Sequence, residues 1–297
     1  MADNLNLIPQ GFGSLHEMQY VRLIGPDAAA FAHAQFSNDV QALAVGHWQW
    51  TTWLTAKGRV IAIFALLRES DTQLLMLLPD GNAAEIAAQL GRFVFRRKLT
   101  VAVARPLAYG GFEAPRHASG ARATIEARHI ELDLGSTALP RTLLLLDDQL
   151  LLLDDQALNA SIVRPAIDAE WRHTDLRLGL VRLPESQREQ WTPQQLALDR
   201  LQAYSVKKGC YPGQEIVART HFLGKAKRTL QLLQTDGNAE AGDAVALDGA
   251  ALGTVVSVAA ELALAVLPLD AVPAADATLL AGAHAAHPLD ITRGLER

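Results

Sequence analysis

The chemistry of this chain concentrates in nine residues, Lys207-Lys208-Gly209-Cys210-Tyr211-Pro212-Gly213-Gln214-Glu215, which hold the one cysteine of the sequence. Two ammonium groups precede the thiol. Nearby positive charge favours the thiolate, the form that attacks electrophiles and binds metals. Gly209 and Gly213 bracket Tyr211-Pro212 and predict a tight loop, where glycine permits positive φ and close backbone approach to a ligand. A lone cysteine is also commonly an inert core residue. Two readings therefore stand at this point: a reactive thiol on a basic loop, or a small buried hydrophobe. His221, just past the motif, suits either a group that tunes Cys210 or an ordinary loop histidine.

Other candidates carry less. Leu143 to Gln149 is repeated identically as Leu150 to Gln156, which pairs Asp147-Asp148 with Asp154-Asp155. Paired carboxylates suit a metal or acid–base site. The simpler reading is two buried strands joined by an Asp-rich turn, with the second pair capping a helix from Leu158 to Trp171. His284 and His287 lack a third ligand and read as surface histidines. Gly11-Phe12-Gly13 has no preceding strand, so it makes no dinucleotide fingerprint. Trp48 and Trp50 share one face of a β segment and Trp53 points to the other, which predicts sheet core.

The elements that must hold the loop follow from periodicity. Tyr20 to Ile24 reads as a strand and Asp27 to Phe36 as a helix. Trp48 to Thr55 and Arg59 to Leu67 form a hairpin around Lys57-Gly58. Gln73 to Leu78 is a strand, and Ala83 to Phe95 a helix with Ile86, Leu90, Phe93 and Val94 on one face. Leu99 to Val103 returns to strand. This order predicts helices on one side of an antiparallel sheet. Thr192-Pro193-Gln194-Gln195 has the form of a capping box, which predicts a helix to about Tyr204 leading into the loop. Beyond Thr229, short apolar runs at Leu230 to Leu233, Ala244 to Leu247, Gly253 to Val258 and Leu262 to Leu267 predict a small barrel or sandwich. His284 to Arg297 reads as a loose tail. The domains expected are 1–105, 106–228 and 229–297.

Composition limits the function classes. With 297 residues and 49% hydrophobic side chains, the chain can bury a sizeable core. No apolar run reaches the roughly 18 residues of a membrane span. The N-terminus lacks the basic n-region of a signal peptide. One cysteine fits a reducing compartment, so a cytoplasmic location is expected, and it cannot by itself supply the about four ligands of an iron–sulfur cluster. The net charge of −5 argues against general nucleic-acid affinity. Yet Ser205 to Thr229 holds six Lys or Arg against Glu215 alone, a local +5 that leaves −10 elsewhere. Such a stretch is a solvated basic face or an anion-facing surface.

The string K-G-C-Y-x-G-Q-E, continued by Ile216-Val217-Ala218-Arg219-Thr220, Gly224 and Lys227-Arg228, resembles the signature of the YgfZ branch of the YgfZ/GcvT folate-binding family. Trp191-Thr192-Pro193-Gln194 and Leu198-Asp199 stand where that family has its pre-motif helix. Leu23-Ile24-Gly25-Pro26-Asp27-Ala28, Phe31, Gln35 and Asn38-Asp39-Val40 resemble its opening. Lys57-Gly58-Arg59-Val60 and Phe95-Arg96-Arg97-Lys98-Leu99 resemble its next two blocks, so the likeness covers most of residues 20–230. It implies an α+β fold: a GcvT-like pseudosymmetric body of antiparallel sheets plus helices around a folate channel, with a C-terminal β-barrel. It implies an accessory factor that supports assembly or repair of iron–sulfur enzymes, including tRNA-modifying ones. The expected partners are a folate and iron–sulfur client proteins, with no direct nucleic-acid contact and no membrane. Cys210 is the implied functional residue, with transient cluster or metal ligation, thiol exchange and client protection all open. No resident metal site is expected.

By the same resemblance tetrahydrofolate or a derivative is the cofactor, and Trp171, Gly179, Lys208, Gly209, Tyr211, Gln214, Glu215 and Arg219 are its expected contacts. Trp171, eight residues before Gly179, offers an indole face for a pterin, or else is a core aromatic at a helix end. Two departures bear on this. Many relatives have Glu two residues before that glycine, where this chain has Arg177, and a guanidinium cannot accept the hydrogen bonds of a pterin edge. The aminomethyltransferase branch carries an acidic pair after its hairpin glycine, where this chain has Ala62 and Ile63. The acid–base group for aminomethyl transfer is therefore missing there. This favours an accessory factor over a tetrahydrofolate-dependent transferase. A third reading is an RNA- or protein-binding module that uses the basic loop.

Overall fold

The computed structural model describes residues 11–127, 129–146, 165–224, 226–271 and 278–297. The chain opens with β1 (Gly13–Ser14), β2 (Gln19–Ile24), α1 (Ala28–Gln35), β3 (Trp48–Leu54), β4 (Val60–Arg68), β5 (Gln73–Leu78), α2 (Ala83–Gly91) and β6 (Thr100–Ala104). It continues with β7 (Leu107–Gly111), β8 (Thr124–Ile125), β9 (His129–Asp133), β10 (Thr142–Leu146), α3 (Asp168–Arg177) and α4 (Gln214–Phe222). The last part is all β: β11 (Arg228–Thr235), β12 (Ala244–Leu247), β13 (Ala250–Ala259), β14 (Leu262–Pro268), β15 (Leu279–Ala281) and β16 (His284–Leu289).

Two five-stranded antiparallel sheets form the body, in the orders β3-β4-β5-β2-β6 and β8-β9-β10-β7-β1. Each is a three-strand meander whose last strand pairs with the strand that precedes the meander in sequence, and an outer strand closes the far side. The shared layout is the pseudosymmetry that the family resemblance implied. The outer strand of the second sheet is β1, so residues 13–14 leave the first region of the chain and pair with Tyr109 and Gly110. That crossover corrects an expected boundary that assigned residues 1–105 to one unit.

Period-2 alternation decides what each strand buries. Trp48 and Trp50 face the large core between the sheets, whereas Trp53 joins a second core under α1 and α2. In α2, Asn82 caps the first turn by accepting from Ala84 N at 3.1 Å and Glu85 N at 3.3 Å. Ile86 and Leu90, one turn apart, are buried. The helix stops at Gly91, not at Phe95: Phe95 takes φ 48°, which no helix accommodates.

Six strands close the C-terminal barrel in the order β11-β14-β13-β12-β15-β16. Leu233, Ala263, Ala265 and Leu267 fill its interior, while alternate residues Leu232, Leu262, Leu264 and Val266 pack on the body core. One set of strands thus serves two cores. The expected loose tail is not loose. His284–Leu289 is the barrel's last strand, Thr292 N bonds Arg177 O at 2.9 Å, Leu295 is fully buried, and Trp50 Nε1 donates to Leu295 O at 2.8 Å.

Two further expectations need comment. The capping box of Thr192 and Gln195 forms: Thr192 N donates to Gln195 Oε1 at 3.0 Å, and Gln195 N to Thr192 Oγ1 at 3.4 Å. No α-helix follows it, because Ala197 (φ 49°) and Gln202 (φ 54°) turn left-handed and leave a chain of turns. Of the LLLLDDQ repeat only residues 143–146 fall within the described residues, inside β10. Both aspartate pairs and the start of the predicted 158–171 helix lie outside the described residues.

Candidate functional site

The motif loop is held by the first half of the molecule, far away in sequence. Ser37 Oγ donates to Ala203 O at 2.9 Å, Ser205 N to Ser37 O at 2.9 Å, and Asn38 Nδ2 to Gln202 O at 2.7 Å. These bonds seat the turn before the motif on the end of α1. Gly213, at φ 79°, caps α4 and lies against the turn of the first hairpin. A Cβ on Gly213 would stand 2.6 Å from Gly58 Cα and Thr55 O, and one on Gly58 would stand 2.8 Å from Ile216 Cβ. Only paired glycines allow this approach.

Within that frame Cys210 is exposed and free, which removes the buried-hydrophobe reading. Lys208, two residues earlier, points the other way and is 6% exposed. Its ammonium donates to Phe36 O at 2.6 Å and to His33 O, the carbonyls that end α1, and lies 4.7 Å from the centre of the Tyr211 ring. A cation there satisfies orphan carbonyls and the negative pole of the helix. Burial pushes its pKa down to about 8. The same ammonium, after burial itself, holds His33 below its ordinary value. Tyr211 is buried; its hydroxyl donates to Ser205 O at 3.2 Å, and desolvation pushes it up to about 12. Gln214 Nε2 closes the loop on Lys208 O at 3.1 Å. Glu215 and Arg219 are exposed on α4.

These positions correct several expected roles. Lys208, Tyr211 and Gln214 bond to the protein itself and brace the loop. Gly209 has no positive φ and its nearest neighbour to an added Cβ, His33 Nε2, is 3.9 Å away, so it is not needed for a close approach. Gly179 (φ 65°) ends α3 in a Schellman motif, with Gly179 N on Leu176 O at 2.9 Å and Leu180 N on Asp175 O at 2.8 Å. Trp171 is 1% exposed. Arg141 lies over its ring at 4.4 Å, and a Cβ on Gly110 would come within 2.6 Å of the indole. It is a core aromatic, and it offers no open face to a pterin. Arg177 is exposed at the end of α3. Ala62 and Ile63 are buried in β4.

The cleft beside the motif is built from other residues. It encloses about 670 Å³, and Asp39, His47, Gln49, Asp199, Tyr204, Lys207, His221 and Arg297 contribute to its walls. That volume suits a drug-sized ligand. Two buried donors there have no hydrogen-bond partner, Gln49 Nε2 and Arg297 Nε. Asp199 is exposed at the cleft; its backbone carbonyl accepts from Gln202 N at 2.9 Å, and its carboxylate makes no hydrogen bond or ion pair to a described residue. Sequence reasoning quoted Asp199 only as part of a family block, and it missed Gln49, Tyr204 and Arg297. No local pattern marks them, since residues 39–49, 199–207 and 297 meet only in three dimensions.

Among the described residues no helix is long and apolar enough to cross a membrane. Residues 227–292 match the family model described as the CAF17 C-terminal beta-barrel domain. The chain is 26% identical over 233 residues to the tRNA-modifying protein YgfZ of Colwellia psychrerythraea, covering 74% of this chain and 70% of that one. It is 25% identical over 272 residues to the protein of the same name from Aliivibrio fischeri, covering 86% and 84%. Among solved structures the fold is similar to that of glycine cleavage system aminomethyltransferase T from Bartonella henselae. The TM-score is 0.70 at 16% identity, over 94% of this chain and 84% of that one.

Proposed function

We propose, from its similarity to YgfZ proteins in sequence, to the CAF17 family in its barrel and to aminomethyltransferase T in fold, that this chain is a folate-binding accessory factor that uses Cys210 to assist iron–sulfur clients, including tRNA-modifying enzymes. The observation that carries this reading is the placement of Cys210. The only thiol of the chain stands exposed on a loop braced by the contact of Gly213 with Gly58, by Lys208 and by Gln214. A flexible or inert thiol needs no such bracing; one that must meet a partner's cluster or thiol in a fixed orientation does.

Tetrahydrofolate fits the adjoining cleft on two grounds, its volume and its unpartnered buried donors. Asp199 would accept from the N–H edge of the pterin, a role that Arg177 cannot fill, and Gln49 would donate to its carbonyl edge. Tyr204 would supply an aromatic face. Lys207 and Arg297 would meet carboxylates of the glutamyl tail. A bound tetrahydrofolate would supply a reduced carrier of one-carbon groups. Client proteins would dock where Phe222 (67% exposed) and Leu223 (83% exposed) adjoin Arg219 and Lys227.

The test is complementation in a strain deleted for the protein. Wild-type protein should restore the activity of cluster-containing enzymes, and Cys210→Ala should not. Full rescue by Cys210→Ala would remove the thiol from the mechanism. Calorimetric titration with tetrahydrofolate tests the cleft, with Asp199→Asn expected to weaken binding at least tenfold.

A second reading, tetrahydrofolate-dependent aminomethyl or methyl transfer, draws on one observation: Asp199 puts a carboxylate in the cleft although Ala62 and Ile63 do not. Turnover of a folate adduct by purified protein, abolished in Asp199→Asn, would support it over the accessory role.

A further inference from the structure

The turn after α2 holds Arg92, Phe93, Phe95, Arg96, Arg97 and Lys98, all exposed, with no acidic residue among positions 92–98. None of the four cations has a carboxylate within ion-pairing distance among the described residues. Asp27, beside the turn, accepts the backbone N–H of Lys98 on Oδ2 at 2.6 Å. Phe95 is 85% exposed. It also takes φ 48°, a left-handed conformation that costs a bulky residue about 1–2 kcal/mol. The protein thus holds an aromatic ring in water, at a backbone cost, in the middle of four unpaired positive charges. Asp27 is the N-cap residue of α1, so its bonds to Lys98, with Arg97 5.9 Å from the Phe31 ring, tie the turn to the start of that helix. Lys208 binds the other end of the same helix. With 8 residues, α1 spans about 12 Å, so the turn and the Cys210 loop are anchored at opposite ends of one short rod.

We infer that this turn is a contact surface for an unpaired stretch of nucleic acid, with Phe95 stacking on a base and Arg92, Arg96, Arg97 and Lys98 meeting phosphates. An acidic protein would answer the charges but gives no reason for the ring. A duplex would answer the charges and bury its base faces. A single strand offers both phosphates and open π faces. The overall charge of −5, which argues against general nucleic-acid affinity, does not conflict with a local footprint of +4. The inference does not depend on the role proposed for Cys210 or for the folate cleft, so its failure would leave both in place.

The experiment is fluorescence anisotropy with purified full-length protein and a labelled oligouridylate of about 12 nucleotides. Binding should weaken steeply with salt, log K falling against log salt with a slope of about −3 for four phosphates on a single strand. Phe95→Gly should weaken binding about tenfold with the slope unchanged, and it should leave thermal stability unchanged or raised because glycine is at ease at this φ. The double variant Arg96→Gln/Arg97→Gln, which leaves two of the four cations, should roughly halve the slope. An oligothymidylate that binds equally would assign the contact to phosphates and bases, and a loss of affinity for it would add the 2′-hydroxyl. Absence of binding at low salt overturns the inference. So does an affinity that Phe95→Gly leaves unchanged, or equal binding of poly-glutamate or of a duplex.

Discussion

The thiol and the ammonium two residues before it point to opposite sides of one loop, and their environments make opposite predictions. Cys210 is exposed, so one equivalent of a disulfide reagent such as dithionitrobenzoate should react with native protein without denaturant. Reaction only after unfolding would place the sulfur elsewhere. Lys208 is buried, with a folded pKa of about 8 against an ordinary 10.5. Between those values the unfolded chain holds the proton and the folded chain does not, so stability should rise as pH goes from 8 to 10.5. Below 8 both states are protonated and the slope vanishes. A shift of this size corresponds to at most about 3 kcal/mol. Lys208→Met should flatten the slope in urea midpoints measured at pH 8, 9 and 10, and an unchanged slope would contradict the assignment.

Elements place these residues through two glycine contacts and a helix end. Gly213 must be left-handed and must pass within contact of Gly58, so Gly213→Ala should cost at least about 1–2 kcal/mol from backbone conformation alone, plus the overlap. Gly209→Ala, with open space and no positive φ, should leave stability unchanged or raise it by up to about 1 kcal/mol. Thermal melts of the two variants check the contrast, and equal losses would refute it. Much at this scale was legible beforehand: β5 at Gln73–Leu78, the β3–β4 hairpin and the barrel strands follow from short apolar runs bounded by turn residues. The helix after Thr192 was not, because a capping box specifies only the first turn. The residues that follow, Ala197 and Gln202, adopt positive φ to satisfy contacts with Ser37 and Asn38 on the other half, and tertiary bonds override local propensity there.

At the scale of the molecule, the segment after β16 stitches the barrel to the body. Thr292, Leu295 and Arg297 bond Arg177, Trp50 and Gly135 in turn. Leu295→Ala should cost about 3 kcal/mol, in the usual range for a fully buried leucine. It should also widen the thermal transition or split it, as the barrel loses its grip on the two sheets. A single sharp transition with an unchanged midpoint would show that the tail is dispensable. Since Arg297 also borders the cleft, this variant should weaken ligand binding there as well.

The sequence by itself settled the chemistry available and part of the scaffold: one thiol in a basic, glycine-framed motif, one antiparallel sheet with helices, and a small terminal all-β unit, with the second sheet and the closed barrel implied only by the family resemblance. These are properties of local order, of residue types at fixed spacing, and neighbours in the chain suffice to specify them. It could not say that Lys208, Tyr211 and Trp171 turn inward while Cys210 is exposed, nor that Asp199, Gln49 and Arg297 share one cleft. A side chain's direction depends on which distant backbone supplies its partners, as the carbonyls at the end of α1 do for Lys208. That information exists only once residues well over a hundred positions apart have been packed together.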